Sequence, residues 1–182
     1  MSEREKLKTG DVAAFAAGPG RTKAQATSRF THWRELGIIP ASEQVWGPGG
    51  PAYVYPQTVA AIFAVVSDLF DAGVVTGTRQ LRSMWRFFSE PHAEGVRAHI
   101  THVLDAIAAG ECVFLIMTMW RDEVSGEFHP TCATRFEDEY DRPVAAPAPH
   151  HEPIAEYVIN LHVLLKRFAT TESNVRPIRA EG

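Results

Sequence analysis

Cysteine is scarce in this sequence, and two other features of exported or membrane-bound proteins are missing. The 182 residues include only Cys112 and Cys132, too few for a disulfide framework. No apolar run approaches the roughly 18 residues that a membrane-spanning helix needs. The first six residues, MSEREK, are polar and of mixed charge, unlike a signal peptide. We therefore expect a cytoplasmic protein that does not contact a membrane.

Charge of one sign does not dominate the chain, but charge is unevenly distributed along it. The net charge of −4 excludes a protein that coats nucleic acid over its whole surface. Residues 1–90 hold 10 cationic and 8 acidic side chains, whereas residues 91–182 hold 8 and 14. Between Lys8 and Arg34 five cations accompany a single acid, Asp11. This distribution indicates an anion-binding module near the N-terminus, joined to a second part that would repel phosphate.

The motifs of common catalytic and metal centres are also missing. GPGRTK at 18–23 lacks the spacing of a phosphate-binding loop, and VSGE at 124–127 lacks the first glycine of a nucleophile elbow. His150-His151 is expected to be solvated. The other histidines and cysteines that could converge include no closely spaced cysteine pair; they are His99, His102, Cys112, His129 and Cys132. We predict no enzyme, no cofactor and no metal site.

Two short helices are predicted in the basic region. The first covers about residues 9–17. The second runs from about Thr22 to Leu36, where Thr22 would cap it and Gly37 would end it in a left-handed conformation. Its apolar stripe consists of Ala26, Phe30, Trp33 and Leu36. Two helices joined by a tight glycine-containing turn are typical of a helix-turn-helix.

A β-hairpin and two further helices should follow. Residues 44–55 read as two strands around a turn at Gly47–Pro51, a hairpin of the size called a wing. Helices are predicted from Pro56 to Phe70 and from about Thr78 to Ser89, because apolar residues recur there at helical spacing. Glu90-Pro91 would end this first domain, which we place at residues 8–90.

Three stretches of this region are similar in order and spacing to a known family. They are TGDVAAFA, RFTHWRELGIIP and AYVYPQTVAAI. Within them, His32-Trp33 and Gly37–Pro40 match the end of the family's second helix, and Tyr55 and Val59 match the start of its third. Over about residues 8–88 the chain resembles the MerR-like winged helix-turn-helix family of DNA-binding transcription regulators. The family often has arginine at the positions of Ser28, Thr31 and Tyr53, so the resemblance does not specify an operator.

The second half has an α+β pattern. Residues 92–142 contain an amphipathic helix, an apolar strand over 112–120 and a second strand near 128–136, in which Pro130 indicates an edge position. Residues 143–152 are rich in proline and alanine and are predicted to be a linker. Residues 153–170 are predicted to be a C-terminal helix. The expected fold class is therefore mainly α with small β: an N-terminal winged helix-turn-helix, then a small α+β domain with a β-hairpin and a C-terminal helix.

The predicted DNA contacts combine cations with short polar side chains. An α-helix fits the major groove, where small polar groups can reach base edges, and cations on its flanks can pair with phosphates. A wing beside it would reach the backbone or the minor groove. The predicted DNA-binding residues are Arg21, Lys23, Gln25, Ser28, Arg29, Thr31, His32, Arg34, Gln44, Trp46, Tyr53 and Tyr55. The competing interpretation is that the arginines form a solvated face.

The predicted C-terminal helix carries an apolar seam at helical spacing. The seam consists of Ile154, Tyr157, Val158, Leu161, Leu164, Leu165 and Phe168. In the resembled family a long C-terminal helix often forms the dimer, and a two-fold dimer would match a palindromic operator. The alternative is that this seam folds back on its own domain.

The sequence thus predicts a sequence-specific regulator of transcription that binds double-stranded DNA as a homodimer on a palindromic operator. The resemblance would add RNA polymerase as a partner of the protein, and residues 92–142 would be an effector or dimerisation region, with an unknown small molecule as the effector. One alternative is a small-molecule or protein-binding module in which the apolar strand Val113–Met117 lines a pocket. Another is an architectural DNA-binding protein like the excisionases of phages and plasmids.

Overall fold

A computed structural model of the chain describes residues 6–17, 20–40, 43–47, 50–91, 99–139 and 146–169. Within these ranges the protein is an α+β mixture of six α-helices, a short 3-10 helix and two three-stranded antiparallel sheets. The chain divides into two compact units between His102 and Val103. No helix in the described ranges combines the length and apolar character needed to cross a membrane.

The first unit contains four helices and one of the sheets. The elements are β1 (Lys6–Lys8), α1 (Thr9–Ala16), α2 (Lys23–Glu35), β2 (Glu43–Gly47), β3 (Gly50–Pro56), α3 (Gln57–Asp71) and α4 (Thr78–Ser89). The strand order is β1-β3-β2, so β3 is central. The hairpin and the helices after it are where the sequence predicted them. Strand β1 was not predicted, and it pairs Leu7 with Tyr55 of β3.

Helix α2 begins and ends at the signals that the sequence contains. The Thr22 hydroxyl accepts from the Gln25 N–H at 3.3 Å, while the Gln25 side-chain oxygen accepts from the Thr22 N–H at 2.9 Å. This reciprocal capping box satisfies donors that a helix start leaves free. At the other end Gly37 has φ +65°, and the Ile38 N–H donates to the Trp33 carbonyl at 2.9 Å. The predicted cap and the predicted left-handed glycine are both confirmed.

Aromatic contacts fix α2 against β3 and α3. The Phe30 ring meets the rings of Tyr55 and Phe63 edge to face, with both centroids 5.0 Å away. Trp33 meets Phe63 at 5.4 Å and Phe70 at 5.8 Å. Such pairs contribute about 0.5–1.5 kcal/mol each beyond the area they bury. Because the apolar side of α2 is packed in this way, the orientation of its polar side is fixed.

The second unit is built on a sheet in the order β5-β4-β6. Its elements are β4 (Val113–Asp122), β5 (Phe128–Phe136), a 3-10 turn (Glu137–Glu139), β6 (His151–Asn160) and α6 (Leu161–Ala169), while α5 (His99–Ala108) spans the division between units. Pro130 is on β5 and lies opposite Met119 of β4. Because β5 is an edge strand, the predicted edge position of Pro130 is confirmed.

The helix predicted over residues 153–170 is wrong in its first half. Residues 151–160 form β6, which pairs antiparallel with β4 and sets Val158 opposite Ile116. Tyrosine, valine and isoleucine favour a strand when a partner strand offers unpaired backbone groups, as the second side of β4 does. The predicted linker is likewise wrong at residues 151–152, and residues 143–145 and 170 lie outside the described ranges.

The seam predicted for a dimer is divided between two elements. Leu161, Leu165 and Phe168 are buried on α6 within the second unit, so these three residues belong to its core. Leu164 is half-buried. The residues that remain exposed lie on the edge strand β6; they are Ile154, Tyr157 and Val158. The alternative of folding back is therefore correct for the α6 residues.

Candidate nucleic-acid interface

Helix α2 presents a polar side of short side chains to solvent. Ser28 and His32 are exposed and Thr31 is half-buried, whereas Phe30 and Trp33 are buried on the opposite side. Thirteen residues make a helix of about 20 Å, long enough to follow a groove of B-DNA that is about 12 Å wide. The geometry of α2 suits close approach to base edges.

The hairpin β2–β3 carries exposed aromatic groups on the side that it turns toward α2. Residues directly opposite each other share a face of an antiparallel pair, and Gln44 pairs with Tyr53 as Trp46 pairs with Pro51. This face continues to Tyr55, which packs on α2. The Trp46 side chain is 78 % exposed and Tyr53 is 41 % exposed. Residues 48 and 49 of the turn lie outside the described ranges.

Arg34 links the polar side of α2 to this hairpin. Its guanidinium carbon lies 4.8 Å from the centroid of the Tyr53 ring. Such a cation–π contact contributes about 0.5–1 kcal/mol at an exposed site. No carboxylate of the described residues lies within ion-pair distance of Arg34. Its positive charge is therefore positioned by the ring and remains available to an anion.

Arg21 and Arg29, predicted as DNA contacts, are instead bound to α3. The Arg21 side chain is only 8 % exposed and forms ion pairs with Asp68, at 3.1 Å, and with Asp71. Arg29 donates to Asp71 at 2.7 Å, and its guanidinium carbon lies 5.0 Å from the Phe70 ring centroid. Both charges are balanced inside the first unit, so their predicted role in binding phosphate is not supported.

The two arginines also change the acidity of Asp71. Partial burial by itself raises the pKa of the Asp71 carboxyl, but hydrogen bonds from Arg29 and Arg21 and their positive charges outweigh burial. The resulting pKa lies below the ordinary value of 3.8. The carboxylate therefore stays ionised at neutral pH, and the cluster of Arg21, Arg29 and Asp71 holds α2 to α3.

Two further predicted contacts have structural roles. The Tyr55 side chain is 1 % exposed and packs on Phe30, so it cannot reach DNA in this structure. The side chain of Gln25 is exposed, yet its oxygen is engaged by the Thr22 N–H in the capping box. Lys23, on the first turn of the helix, is exposed. The predicted set is thereby reduced to Lys23, Ser28, Thr31, His32, Arg34, Gln44, Trp46 and Tyr53.

A row of arginines on α4 was missed by the sequence analysis. Arg79, Arg82 and Arg86 are exposed and line a shallow groove together with Thr78 and Ser83. Arg82 also donates to the Leu36 carbonyl at 2.6 Å, so this row adjoins the C-terminal end of α2. Cations spaced three and four residues apart on a helix share one face. The spacing of Arg79, Arg82 and Arg86 in the sequence would therefore have been enough to predict this row.

The apolar strand proposed as a pocket wall is core. Val113, Leu115, Ile116 and Met117 are each at most 3 % exposed on β4, the central strand of its sheet. On the neighbouring strand β5, burial raises the pKa of the Cys132 thiol to about 12, so this thiol stays protonated and is not a reactive group for a ligand. A small-molecule site lined by β4 is therefore not supported.

Comparison of the chain with protein-family models gives no match, and neither does comparison with curated proteins or with solved structures. The likeness to winged helix-turn-helix regulators consequently remains a proposal that depends on the geometry of the first unit.

Proposed function

We propose that residues 8–90 form a winged helix-turn-helix domain and that the protein is a sequence-specific, double-stranded DNA-binding regulator of transcription. The observation that carries the proposal is the Arg34–Tyr53 contact. It places the polar side of α2 and the exposed aromatic side of the hairpin next to each other around an available cation.

In the proposed complex α2 enters the major groove. Ser28, Thr31 and His32 supply hydroxyl and imidazole groups that can donate to and accept from base edges. The hairpin lies along the adjacent backbone or minor groove, where Trp46 contacts sugars and bases. An exposed tryptophan on a short hairpin is costly to solvate, and burial against DNA would remove that cost.

Phosphate binding in this complex depends on few cations. With Arg21 and Arg29 engaged by α3, the available charges are Lys23 and Arg34 on α2 and the α4 row, in which Arg86 forms an exposed ion pair with Glu90 at 3.7 Å. Each neutralised phosphate contributes about −0.9 to the slope of log affinity against log salt. We expect a modest slope, to which Arg34 contributes about one unit and Arg29 nothing.

The experiment compares two arginine-to-alanine variants across salt. Duplexes are selected from a random pool with the wild-type chain, labelled, and titrated by fluorescence anisotropy from about 50 to 200 mM salt. Arg34→Ala should weaken binding and reduce the slope by about one. Arg29→Ala is the matched control; it should lower the melting temperature and leave the slope unchanged.

Absence of binding at low salt would overturn the proposal. Binding without sequence selectivity would contradict regulation at specific sites and favour an architectural protein, which a DNA-bending assay would then identify. A reduced slope in a folded Arg29→Ala variant would show that Arg29 leaves Asp71 to bind phosphate.

Dimerisation is part of the same proposal and uses the edge strand β6. Ile154, Tyr157 and Val158 are each 41–46 % exposed there, and a second copy could pair along this edge. A two-fold dimer would bind a palindromic operator. RNA polymerase and a small-molecule effector remain further proposed partners.

A protein partner on the hairpin is the second candidate function. Val45 is 41 % exposed beside Trp46, and aromatic side chains are enriched at the centre of protein interfaces. Trp46→Ala separates the two functions. Reduced affinity for the selected duplexes supports the DNA complex. Unchanged affinity supports a protein partner on the hairpin.

A further inference from the structure

Two histidines and an aspartate converge where the β4–β5 turn meets the start of β6. Asp122 ends β4, and His151, the first residue of β6, is its partner in the register. The ligand atoms of Asp122, His150 and His151 all lie within 4.8 Å of one another. The turn is fixed to the same place, because the Glu123 N–H donates to the His150 carbonyl at 3.0 Å. Strand pairing therefore assembles the cluster.

The two oxygens of Asp122 have different surroundings. Oδ1 accepts from the Val124 N–H at 2.7 Å and from the Ser125 N–H at 3.0 Å. Oδ2 faces Nε2 of His150 at 3.3 Å. The carboxylate is thus oriented by the turn, with one oxygen turned to the histidines.

Among the described residues, the His151 side chain has no hydrogen-bond partner. It is only 7 % exposed, and neither ring nitrogen has a hydrogen-bond partner among the described residues. Oδ2 of Asp122 lies 3.9 Å from Nε2, beyond hydrogen-bonding distance. The ring of His129 packs on it with centroids 4.8 Å apart. A buried polar group left unpaired costs about 1–3 kcal/mol, so an additional partner for His151 is expected.

We propose that Asp122, His150 and His151 bind a divalent transition-metal ion of the Zn²⁺ class. Imidazole nitrogens with a carboxylate oxygen suit zinc and its neighbours, whereas Mg²⁺ and Ca²⁺ prefer oxygen alone. Tetrahedral zinc with bonds of about 2.0–2.2 Å separates its ligand atoms by roughly 3.3–3.6 Å. The distances from Asp122 Oδ2 are 3.3 and 3.9 Å, and the two histidine ligand atoms lie within 4.8 Å of each other, so side-chain rotations must bring the ligand atoms closer to match.

The surrounding charges do not oppose a cation. Glu123 and Glu127 are exposed acids of the adjoining turn. The nearby Arg121 is paired with Glu152, across the same two strands. The site belongs entirely to the second unit, so it goes beyond DNA binding and does not depend on it.

Isothermal titration calorimetry of the tag-free full chain with zinc chloride tests the proposal. One ion per chain should bind. Loss of an outer-shell partner weakens metal affinity about 10–100-fold, so loss of a ligand should weaken it at least as much. His150→Gln is the main variant because its side chain is 47 % exposed and its replacement spares the core. Asp122→Asn retains an acceptor for the turn and should also weaken binding.

The matched control is His102→Gln, which changes an exposed histidine on α5 outside the cluster. It should bind zinc like the wild type. Equal weakening in His102→Gln and His150→Gln, or no zinc binding by the folded wild-type chain, would overturn the proposal. Co²⁺ gives an independent measurement: tetrahedral ligand-field bands without a thiolate charge-transfer band support the cluster, whereas a thiolate band contradicts it by implicating Cys112 or Cys132. His151→Gln should also weaken zinc binding. If this variant does not fold, the affinities of His150→Gln and Asp122→Asn test the proposal.

Discussion

At the scale of single residues, Asp71 joins two parts of the first unit. It receives Arg29 from α2 and Arg21 from the turn before α2, while Asp68 shares Arg21. Because Arg21 is nearly buried, loss of its carboxylate partners would leave an uncompensated charge. The cluster stabilises the position of α2 without contributing to an exposed cationic surface.

Asp71→Asn should destabilise the chain by about 1 kcal/mol at neutral pH, because Asp71 is partly exposed and Asp68 still pairs with Arg21. The folded-state pKa of Asp71 is lower than the unfolded one, so its contribution is present above about pH 3.8. It should disappear as the pH falls through the folded-state pKa. Urea unfolding of wild type and variant from neutral to acidic pH measures the difference, and a constant difference would contradict this assignment.

Tyr55→Phe tests the assignment of Tyr55 to the core. Its hydroxyl is buried and has no hydrogen-bond partner among the described residues. Removal of an unpaired buried hydroxyl should maintain the free energy of unfolding or raise it by roughly 1 kcal/mol. DNA affinity should not change. A folded variant that loses affinity would return Tyr55 to the DNA-binding residues.

The cations were visible in the sequence, but their partners were not. Arg21 and Asp71 are separated by 50 positions, and Arg29 and Asp71 by 42. The local pattern of charges in the sequence cannot show that carboxylates of α3 lie next to these two arginines. Phe30 and Trp33 were predicted as core correctly, because burial follows from helical periodicity within one element.

At the scale of elements, α2 owes its end to one glycine. Gly37 has φ +65°, and an added Cβ would meet only Arg82 Nη2, at 4.0 Å. Gly37→Ala should therefore lower the free energy of unfolding by about 1–2 kcal/mol through backbone strain alone. Gly10→Ala is the control, since Gly10 lies in α1 with open space around it. It should stabilise by about 0.4–1 kcal/mol in the same thermal melt. Equal effects would contradict the conformational explanation.

The boundaries of α2 were predictable because caps are local, whereas β6 was not. The spacing of Ile154, Tyr157, Val158 and Leu161 fits a helix, and only the unpaired side of β4 decides otherwise. Strand β1 has the same origin: three residues become a strand because the edge of β3 is available. Elements that depend on a distant partner strand carry a weak signal of their own.

At the scale of the whole molecule, the proposed DNA contacts and the proposed metal ligands belong to different units, whereas the proposed dimer edge β6 shares the second unit with the metal ligands. The proposed DNA contacts lie before His102 and the proposed metal ligands after Val103. Zinc binding and DNA binding by the full chain can therefore be lost separately. Loss of both after a single substitution in either unit would indicate that the units are energetically coupled.

Dimerisation through β6 predicts a change in molecular mass after one substitution. Val158→Lys places a charge on the exposed edge strand, a common means by which proteins prevent edge-to-edge pairing. Light scattering after size exclusion should show a dimer for wild type and a monomer for the variant. Val163→Lys, on α6 with a side chain that is 75 % exposed, should remain dimeric. A monomeric wild type would exclude this dimer.

Strand β1 makes the hairpin depend on the start of the chain. Lys6, Leu7 and Lys8 pair with Pro56, Tyr55 and Val54, so β3 is flanked on both sides. Proteolytic trimming of these few residues would leave a two-stranded hairpin that depends on its packing against the helices, such as the contact of Tyr55 with Phe30. The hairpin would then loosen although every residue of α2 and of the hairpin was still present.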